Sequence, residues 1–117
     1  MRRAEFEAVY GARQRRSSSQ FAVFFRANAD ARGVAPGSRS RFGISVKKAL
    51  GGAVLRNRIR RRIREILRRN TTEIPKGWDI VIHPRRSVAQ AEFVPLEAEL
   101  VRLLRGLGLP PGQGSQA

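Results

Sequence analysis

Apolar residues recur along the chain with two spacings, one typical of helices and one typical of strands. Steps of three and four residues predict helices at 3–11, at 54–69, and from about residue 95 to Gly106 or Gly108. Alternation of apolar residues with small or polar ones predicts strands at 20–28, 42–46 and 78–82. The Ile-Val-Ile run at 80–82 predicts a strand that is buried on both faces. This order of elements predicts an α+β sandwich with helices packed on a mixed sheet.

The segments between these elements have the composition of turns and loops. Residues 13–19 are polar and basic and predict a turn or an extended segment, and residues 28–41 predict a loop. Gly51 and Gly52 predict a bend before the central helix. The length of 117 residues predicts a single domain at 1–108, followed by a disordered C-terminal tail at 109–117.

The central helix carries eight arginines between Arg56 and Arg69, and their positions are sorted around its axis. Successive residues of an α-helix are about 100° apart. The apolar residues therefore form one narrow stripe: Leu55, Ile59, Ile63, Ile66 and Leu67. One polar face consists of Asn57, Arg60, Arg61, Arg64 and Arg68, and the opposite flank of Arg58, Arg62, Glu65 and Arg69. We expect the apolar stripe to pack on the sheet and the first polar face to point outward.

The charge of the chain indicates a polyanionic partner. Twenty-four Lys and Arg residues stand against nine Asp and Glu residues, which gives a formal net charge of +15. Arginines spaced four residues apart repel one another and cost helix stability, so a merely solvated helix would interleave them with glutamates. Nucleic acid is the first candidate partner and an anionic membrane surface the second.

The sequence does not have the residues of a protein catalyst. There is no cysteine, which excludes disulfides, cysteine nucleophiles and cysteine-bound zinc. His83 is the only histidine, and its place after the strand at 78–82 and before Pro84 predicts a structural or exposed residue rather than a general base. The acidic residues are scattered, so no metal-binding carboxylate cluster is expected. No secretory signal or membrane-length apolar run is present, which predicts a cytoplasmic protein.

Residues 43–65, GISVKKALGGAVLRNRIRRRIRE, resemble the signature of the bacterial ribonuclease P protein component. That signature is an Arg-Asn-Arg motif followed by basic residues on a helix, directly after a glycine-containing bend. The resemblance continues through RRAEFEAVY at 2–10, SQFAVFF at 19–25 and GWDIVIHPR at 77–85. It covers roughly residues 2–106.

The resemblance implies a fold and a function. The fold is an α-β-β-β-α-β-α two-layer sandwich with a left-handed βαβ crossover, which is ribosomal S5 domain 2-like. The protein is then an accessory subunit that binds the ribonuclease P catalytic RNA and the 5′ leader of precursor tRNA. The RNA subunit and substrate would hold the Mg²⁺ ions of the endonucleolytic reaction, and the protein alone would not be catalytic. No membrane and no small-molecule substrate are implied.

The resemblance also assigns roles to individual residues. The residues expected to bind the RNA subunit are Arg56, Asn57, Arg60, Arg61, Arg64, Arg68 and Lys48. The residues expected to stack on unpaired leader bases are Phe6, Tyr10 and Phe24. The chain departs from the family pattern before the helix, where Lys47 replaces a serine and Ala49 and Gly52 replace lysines.

Two other classes of function fit the basic α+β pattern. A ribosomal or ribosome-assembly protein would co-sediment with ribosomal subunits. A membrane-binding module would use the apolar stripe of the arginine-rich helix, but the predicted sheet needs that stripe for its core. Binding of the folded protein to anionic vesicles distinguishes the membrane alternative.

Overall fold

A computed structural model of the chain describes residues 3–27 and 40–107. Its main elements are α1 Arg3–Gly11, β1 Arg15–Ser17, β2 Phe21–Ala27, β3 Arg41–Ile44, α2 Ala53–Arg69, β4 Trp78–Pro84 and α3 Phe93–Arg105. Short 3₁₀ turns lie before α2, after α2 and after β4, at Lys48–Leu50, Thr71–Glu73 and Arg86–Ala89. The predicted loop at 28–41 lies mostly outside the described residues, as does the predicted tail at 109–117.

The four strands form one mixed sheet in the order β1-β2-β4-β3. β2 pairs antiparallel with both β1 and β4, whereas β3 and β4 are parallel and are joined through α2. The α+β fold and the mixed sheet are therefore confirmed, including the three strands before α2 that the family resemblance implied. The left hand of the β3-α2-β4 crossover stays a prediction.

The sheet has a main core on one face and α1 on the other. Phe21, Val23 and Phe25 of β2 point to the same face as Ile80 and Ile82 of β4, and all five pack with the apolar residues of α2 and α3. Val81 points to the opposite face and is fully buried there, as is Val9 of α1. The prediction that the β4 run is buried on both faces is confirmed.

Several predicted boundaries are wrong by a few residues. The second predicted strand ends at Ile44, although Val46 is still buried. The last helix begins at Phe93 rather than at Pro95, because proline is tolerated throughout the first turn of a helix and does not mark its first residue. His83 does not follow the strand but lies within it, because β4 continues to Pro84. Proline at a strand end does not stop the residue before it from pairing, and His83 pairs with Ala22.

An ionic network holds the start of α1 against the sheet. Asp79 of β4 is fully buried, and it accepts two hydrogen bonds from Arg41, at 2.9 Å from Nε and 2.7 Å from Nη2. Nη1 of the same arginine donates to Glu5 of α1 at 2.5 Å. Arg26 of β2 lies 3.8 Å from the Asp79 carboxylate. Hydrogen bonding to Asp79 raises the pKa of Arg41 above its ordinary value, so this guanidinium is charged at neutral pH.

Candidate RNA interface

A glycine bend sets the direction in which α2 leaves the sheet. Gly51 has φ 153°, a backbone conformation that side chains other than glycine rarely adopt. A Cβ atom on Gly51 would lie 2.4 Å from Cδ2 of Leu55 in the first turn of α2. A Cβ atom on Gly52 would meet nothing within 4 Å, and Gly52 has an ordinary φ of −73°. The two glycines of the predicted bend therefore have different importance.

Gly51→Ala should lower the free energy of unfolding by about 1–3 kcal/mol, because it adds both backbone strain and a close contact. Gly52→Ala is the matched control and should change it by less than about 0.5 kcal/mol. Urea denaturation of both variants checks this. Equal effects would show that the bend does not depend on the conformation of Gly51.

The apolar stripe of α2 packs on the sheet as predicted. Ile59, Ile63 and Ile66 are fully buried in the main core, and Leu55 and Leu67 pack against its edge. The predicted length of α2 is confirmed to within one residue, with Asn70 at its C-terminal end.

The arginines on one flank of α2 are structural. Nε of Arg58 donates to the carbonyl of Ala89 at 2.6 Å. Arg62 donates from Nη1 to the same carbonyl at 2.9 Å and from Nη2 to the carbonyl of Ala91 at 2.5 Å. Arg69 donates to Glu97 of α3 at 2.9 Å. This flank therefore fixes α2 against the segment between β4 and α3.

The arginines on the other face remain at the surface. Arg61 and Arg64 are exposed, and in the described part of the chain neither has a hydrogen-bond or ion-pair partner. Arg60 donates to Oδ1 of Asn57 at 3.0 Å, so these two side chains are held together one turn apart. The helix thus carries uncompensated positive charge on a single face.

The remaining predicted RNA-subunit residues lie at the two ends of this face. Lys48 is exposed in the 3₁₀ turn before the bend, and Arg56 donates from Nε to the carbonyl of Gly51 at 3.1 Å. Near the other end, Arg68 forms an ion pair with Glu65 at 2.6 Å. Hydrogen bonding to Arg68 lowers the pKa of the Glu65 carboxyl, so this pair offsets part of the charge there.

A groove of about 500 Å³ opens on the α1 side of the sheet, where three aromatic rings meet. Phe24 of β2 lies edge-on to Tyr10 and to His83, with ring centroids 5.2 and 5.1 Å apart. The guanidinium of Arg15 lies 5.5 Å from the centre of the Phe24 ring. The predicted pair Tyr10 and Phe24 is therefore brought together, with Tyr10 packed against two lining residues, Phe24 and His83. Phe6 is half-buried one turn earlier in α1, and neither it nor Tyr10 is itself a lining residue.

The lining of the groove is strongly cationic. It consists of Arg15, Ala22, Phe24, Ser45, Lys47, Leu50, His83, Pro84, Arg85 and Arg86. Among the residues that the structure describes, none with an acidic side chain lines it. The same groove ends at Lys47 and Leu50, directly before the bend that starts α2. The groove therefore reaches the segment that leads into α2.

Sequence reasoning missed five of these groove residues: Arg15, Lys47, His83, Arg85 and Arg86. The sequence comparison with the family pattern marks Lys47 only as a departure, yet Lys47 supplies one of the positive charges of the groove. The only indication in the sequence for Arg85 and Arg86 is their position directly after β4, which ends beside the groove. No local pattern indicates that residues so distant in sequence meet.

Burial keeps the polar aromatic groups of the groove neutral. Oη of Tyr10 and Nε2 of His83 are 2.7 Å apart. Burial lowers the pKa of His83, and the positive charges of Lys47 and Arg15 lower it further. Burial raises the pKa of Tyr10 above its ordinary value, against a smaller opposite effect of a hydrogen bond with Ser45. Both groups are therefore uncharged at pH 7.

The acidic residues of α3 are engaged in structural contacts. Glu99 of α3 accepts hydrogen bonds from the hydroxyls of Ser18 and Ser19 and, at 2.7 Å, from the backbone N–H of Gln20. Glu97 binds Arg69 and Asn70. Within residues 3–27 and 40–107, no group of three His, Cys, Asp or Glu side chains could hold a metal ion. Over the same residues, no helix has the length and apolar character needed to cross a membrane.

An α+β sandwich that carries a cationic helix face beside a cationic aromatic groove defines a small nucleic-acid-binding protein. Comparison with known families makes the class more specific. Residues 1–108 match the family model described as Ribonuclease P, and the chain belongs to that family.

Relatives and solved structures agree with this assignment. The ribonuclease P protein component of Roseiflexus castenholzii is 46% identical over 78 residues, which cover 66% of this chain and 64% of that protein. The component of Thermotoga maritima is 36% identical over 107 residues, covering 88% of this chain and 86% of that protein. A structure of the T. maritima protein matches 90% of this chain and 94% of its own with a TM-score of 0.78 and 34% identity. A structure of the Staphylococcus aureus ribonuclease P protein matches with a TM-score of 0.73 and 30% identity, and the match covers 90% of each chain.

Proposed function

We propose that the chain is the accessory protein subunit of ribonuclease P and assists the Mg²⁺-dependent removal of the 5′ leader from precursor tRNA. The observation that carries the proposal is the presence of two cationic surfaces on one small fold, the outward face of α2 and the aromatic groove, whose residues Lys47 and Leu50 directly precede the bend into α2. One RNA can occupy the helix face while a single strand next to it enters the groove. The place of action would be the cytoplasm.

The outward face of α2 is suited to the catalytic RNA. Arg61 and Arg64 are free to neutralise phosphates where strands of a folded RNA converge, because no protein group competes for them among the described residues. Arg60 and Asn57 form a hydrogen-bonded unit that can bind RNA with less loss of side-chain freedom. Arg56, Arg68 and Lys48 extend the same surface at its two ends.

The groove is suited to an unpaired leader. Phe24 and Tyr10 offer aromatic faces and edges for bases, and stacking tolerates any base sequence. The surrounding cations Arg15, Lys47 and Arg85 can follow the phosphates of the strand. Phe6 would extend the stacking surface along α1, as the family resemblance implies.

The Mg²⁺ ions of the reaction would be held by the RNA subunit and the substrate. The described acidic residues do not cluster, and most of them contact arginines, serines or backbone groups, so they do not fit a divalent-ion site. When bound, Mg²⁺ supplies a nucleophilic hydroxide and stabilises charge on the phosphate. The chain's own residues would bind and orient RNA and screen its phosphates.

The test is cleavage of a precursor tRNA in Mg²⁺ at near-physiological salt by a bacterial ribonuclease P RNA, with and without the protein. The protein should restore cleavage that the RNA alone loses at this salt concentration, because its cations substitute for the missing ionic screening. Protein alone should cleave nothing in a nuclease-free preparation.

Two controls define what would contradict the proposal. A precursor whose leader is shortened to one nucleotide should gain less from the protein than the full precursor, since it cannot reach the groove. Absence of any rescue, together with intact binding to ribosomal RNA and co-sedimentation with ribosomal subunits, would instead indicate a ribosomal protein.

A further inference from the structure

His83 is the one groove residue that can change its charge near neutral pH. It is the only histidine of the chain, which also has no cysteine. Its ring lies against Phe24 at 5.1 Å and against Tyr10 at 5.7 Å, at the inner wall of the groove. Nε2 is committed to the hydroxyl of Tyr10 at 2.7 Å. Nδ1 has no hydrogen-bond partner among the residues that the structure describes.

The charges around His83 disfavour its protonated form in the free protein. Arg15 of β1 and Lys47 lie close enough to lower its pKa, and Arg85 and Arg86 line the same groove. The other neighbours of His83 carry no charge at pH 7: they are Tyr10 of α1, Phe24 of β2 and Ser45. No acidic side chain of the described residues lines the groove to compensate these cations.

An RNA phosphate in the groove reverses this electrostatic environment. It places a negative charge among Arg15, Lys47 and Arg85, so that the repulsion acting on an imidazolium is replaced by attraction. It also offers an acceptor for the unpaired Nδ1–H. The Tyr10 hydroxyl can accept from a protonated Nε2 and turn its own hydrogen toward Ser45, the neighbouring side chain that lowers the pKa of Tyr10. The contact between Tyr10 and His83 therefore survives protonation.

We propose that His83 is a phosphate-binding residue of the groove and takes up one proton from solvent when single-stranded RNA binds. This inference rests on the proposed function, because it places RNA in the groove. Neutral His83 in the free protein becomes imidazolium in the complex, with Nε2–H bound to Tyr10 and Nδ1–H bound to a phosphate oxygen. Occupancy of the groove is then coupled to pH.

The direction of the pH dependence follows from linkage. The bound state has the higher histidine pKa, so binding is tightest below the pKa of the free protein and weakens as pH rises through the pKa of the complex. A rise of one pKa unit on binding corresponds to about a tenfold change in affinity. At fixed salt concentration, we expect about a tenfold loss between about pH 5.5 and about pH 8.

The experiment uses a short oligouridylate, whose bases gain no proton in this range. NMR of the single imidazole should give a higher pKa with saturating oligouridylate than without it. Calorimetry in buffers of different ionisation enthalpy should show proton uptake near neutral pH. His83→Gln, which can still accept a hydrogen bond from Tyr10, should bind oligouridylate with similar affinity at about pH 8 and about pH 5.5, so that the gain in affinity at the lower pH is lost.

Three outcomes overturn the proposal. An unchanged imidazole pKa in the complex excludes proton uptake. Equal pH dependence in wild type and His83→Gln assigns it to another group, such as the terminal amine. A His83→Gln variant that binds weakly at every pH indicates a neutral contact instead. Phe24→Ala distinguishes failure of the proposed function: if it leaves oligouridylate binding unchanged, RNA does not occupy the groove at all.

Discussion

Replacing Arg61 and Arg64 together with alanine should weaken binding of ribonuclease P RNA about 100-fold without changing Tm. Neither guanidinium has a partner within the described residues, so the folded state loses nothing when they are removed. Each charge-assisted contact to phosphate contributes about 1.5 kcal/mol, and two such contacts correspond to about a 100-fold change. The slope of log K against log salt should also become shallower by about 1–2. Filter binding over a salt series measures both quantities.

The matched control removes the same charge from the opposite flank of the same helix. Arg58 and Arg62 bind the carbonyls of Val88, Ala89 and Ala91, so replacing both with alanine leaves these partly buried acceptors without their side-chain donors. This variant should lower the free energy of unfolding by about 2–4 kcal/mol. The folded fraction of this variant should lose less affinity for RNA than the variant that lacks Arg61 and Arg64 loses. Equal RNA affinity for the two variants would show that net charge, rather than the outward face of α2, determines binding.

Replacing Arg41 with methionine should lower the free energy of unfolding by about 3 kcal/mol. The substitution keeps an apolar stem but removes both hydrogen bonds to Asp79, a carboxylate with no exposure to solvent. Loss of the partner of a buried charge costs about 3–5 kcal/mol. The lower value applies because the Arg41 side chain is itself 44% exposed and Arg26 remains 3.8 Å from the same carboxylate. Urea denaturation measures the change, which is large against a total stability of roughly 5–15 kcal/mol.

The control for this substitution is an ion pair of the same type on the surface. Arg3 lies 3.3 Å from Glu7 on the exposed side of α1. Arg3→Met should change stability by less than about 0.5 kcal/mol, since exposed pairs contribute little. A similarly small effect of Arg41→Met would mean that Asp79 finds other partners when the arginine is lost.

The parts of the fold that depend on periodicity were predictable from the sequence. The stripe of Ile59, Ile63 and Ile66 determined both the length of α2 and the face that it buries. The separation of Arg61 and Arg64 from Arg58 and Arg62 followed from the same geometry. What the two flanks contact was not predictable, because the carbonyls of residues 88–91 are brought to α2 only by the tertiary fold.

The groove was only partly predictable for a related reason. β1 is three residues long and consists of Arg-Arg-Ser, so it has no apolar alternation and is recognised only through its pairing with β2. The groove joins residues of β1, β2 and β4 with Lys47, and the pairing of β2 with β4 across some fifty intervening residues creates it. The resemblance indicated Tyr10 and Phe24. The position of His83 beside them was not predictable, because it depends on the continuation of β4 to Pro84.

The attachment of α1 at both of its ends has a consequence for the kinetics of binding. Glu5 holds its first turn to Arg41, and Tyr10 holds its last turn to His83, so this helix is fixed beside the groove before any ligand arrives. An incoming strand does not have to wait for the protein to open or rearrange. The loss of conformational entropy on binding then falls almost entirely on the RNA. Association should therefore be fast and salt-dependent, and differences between leaders should appear mainly in their dissociation rates.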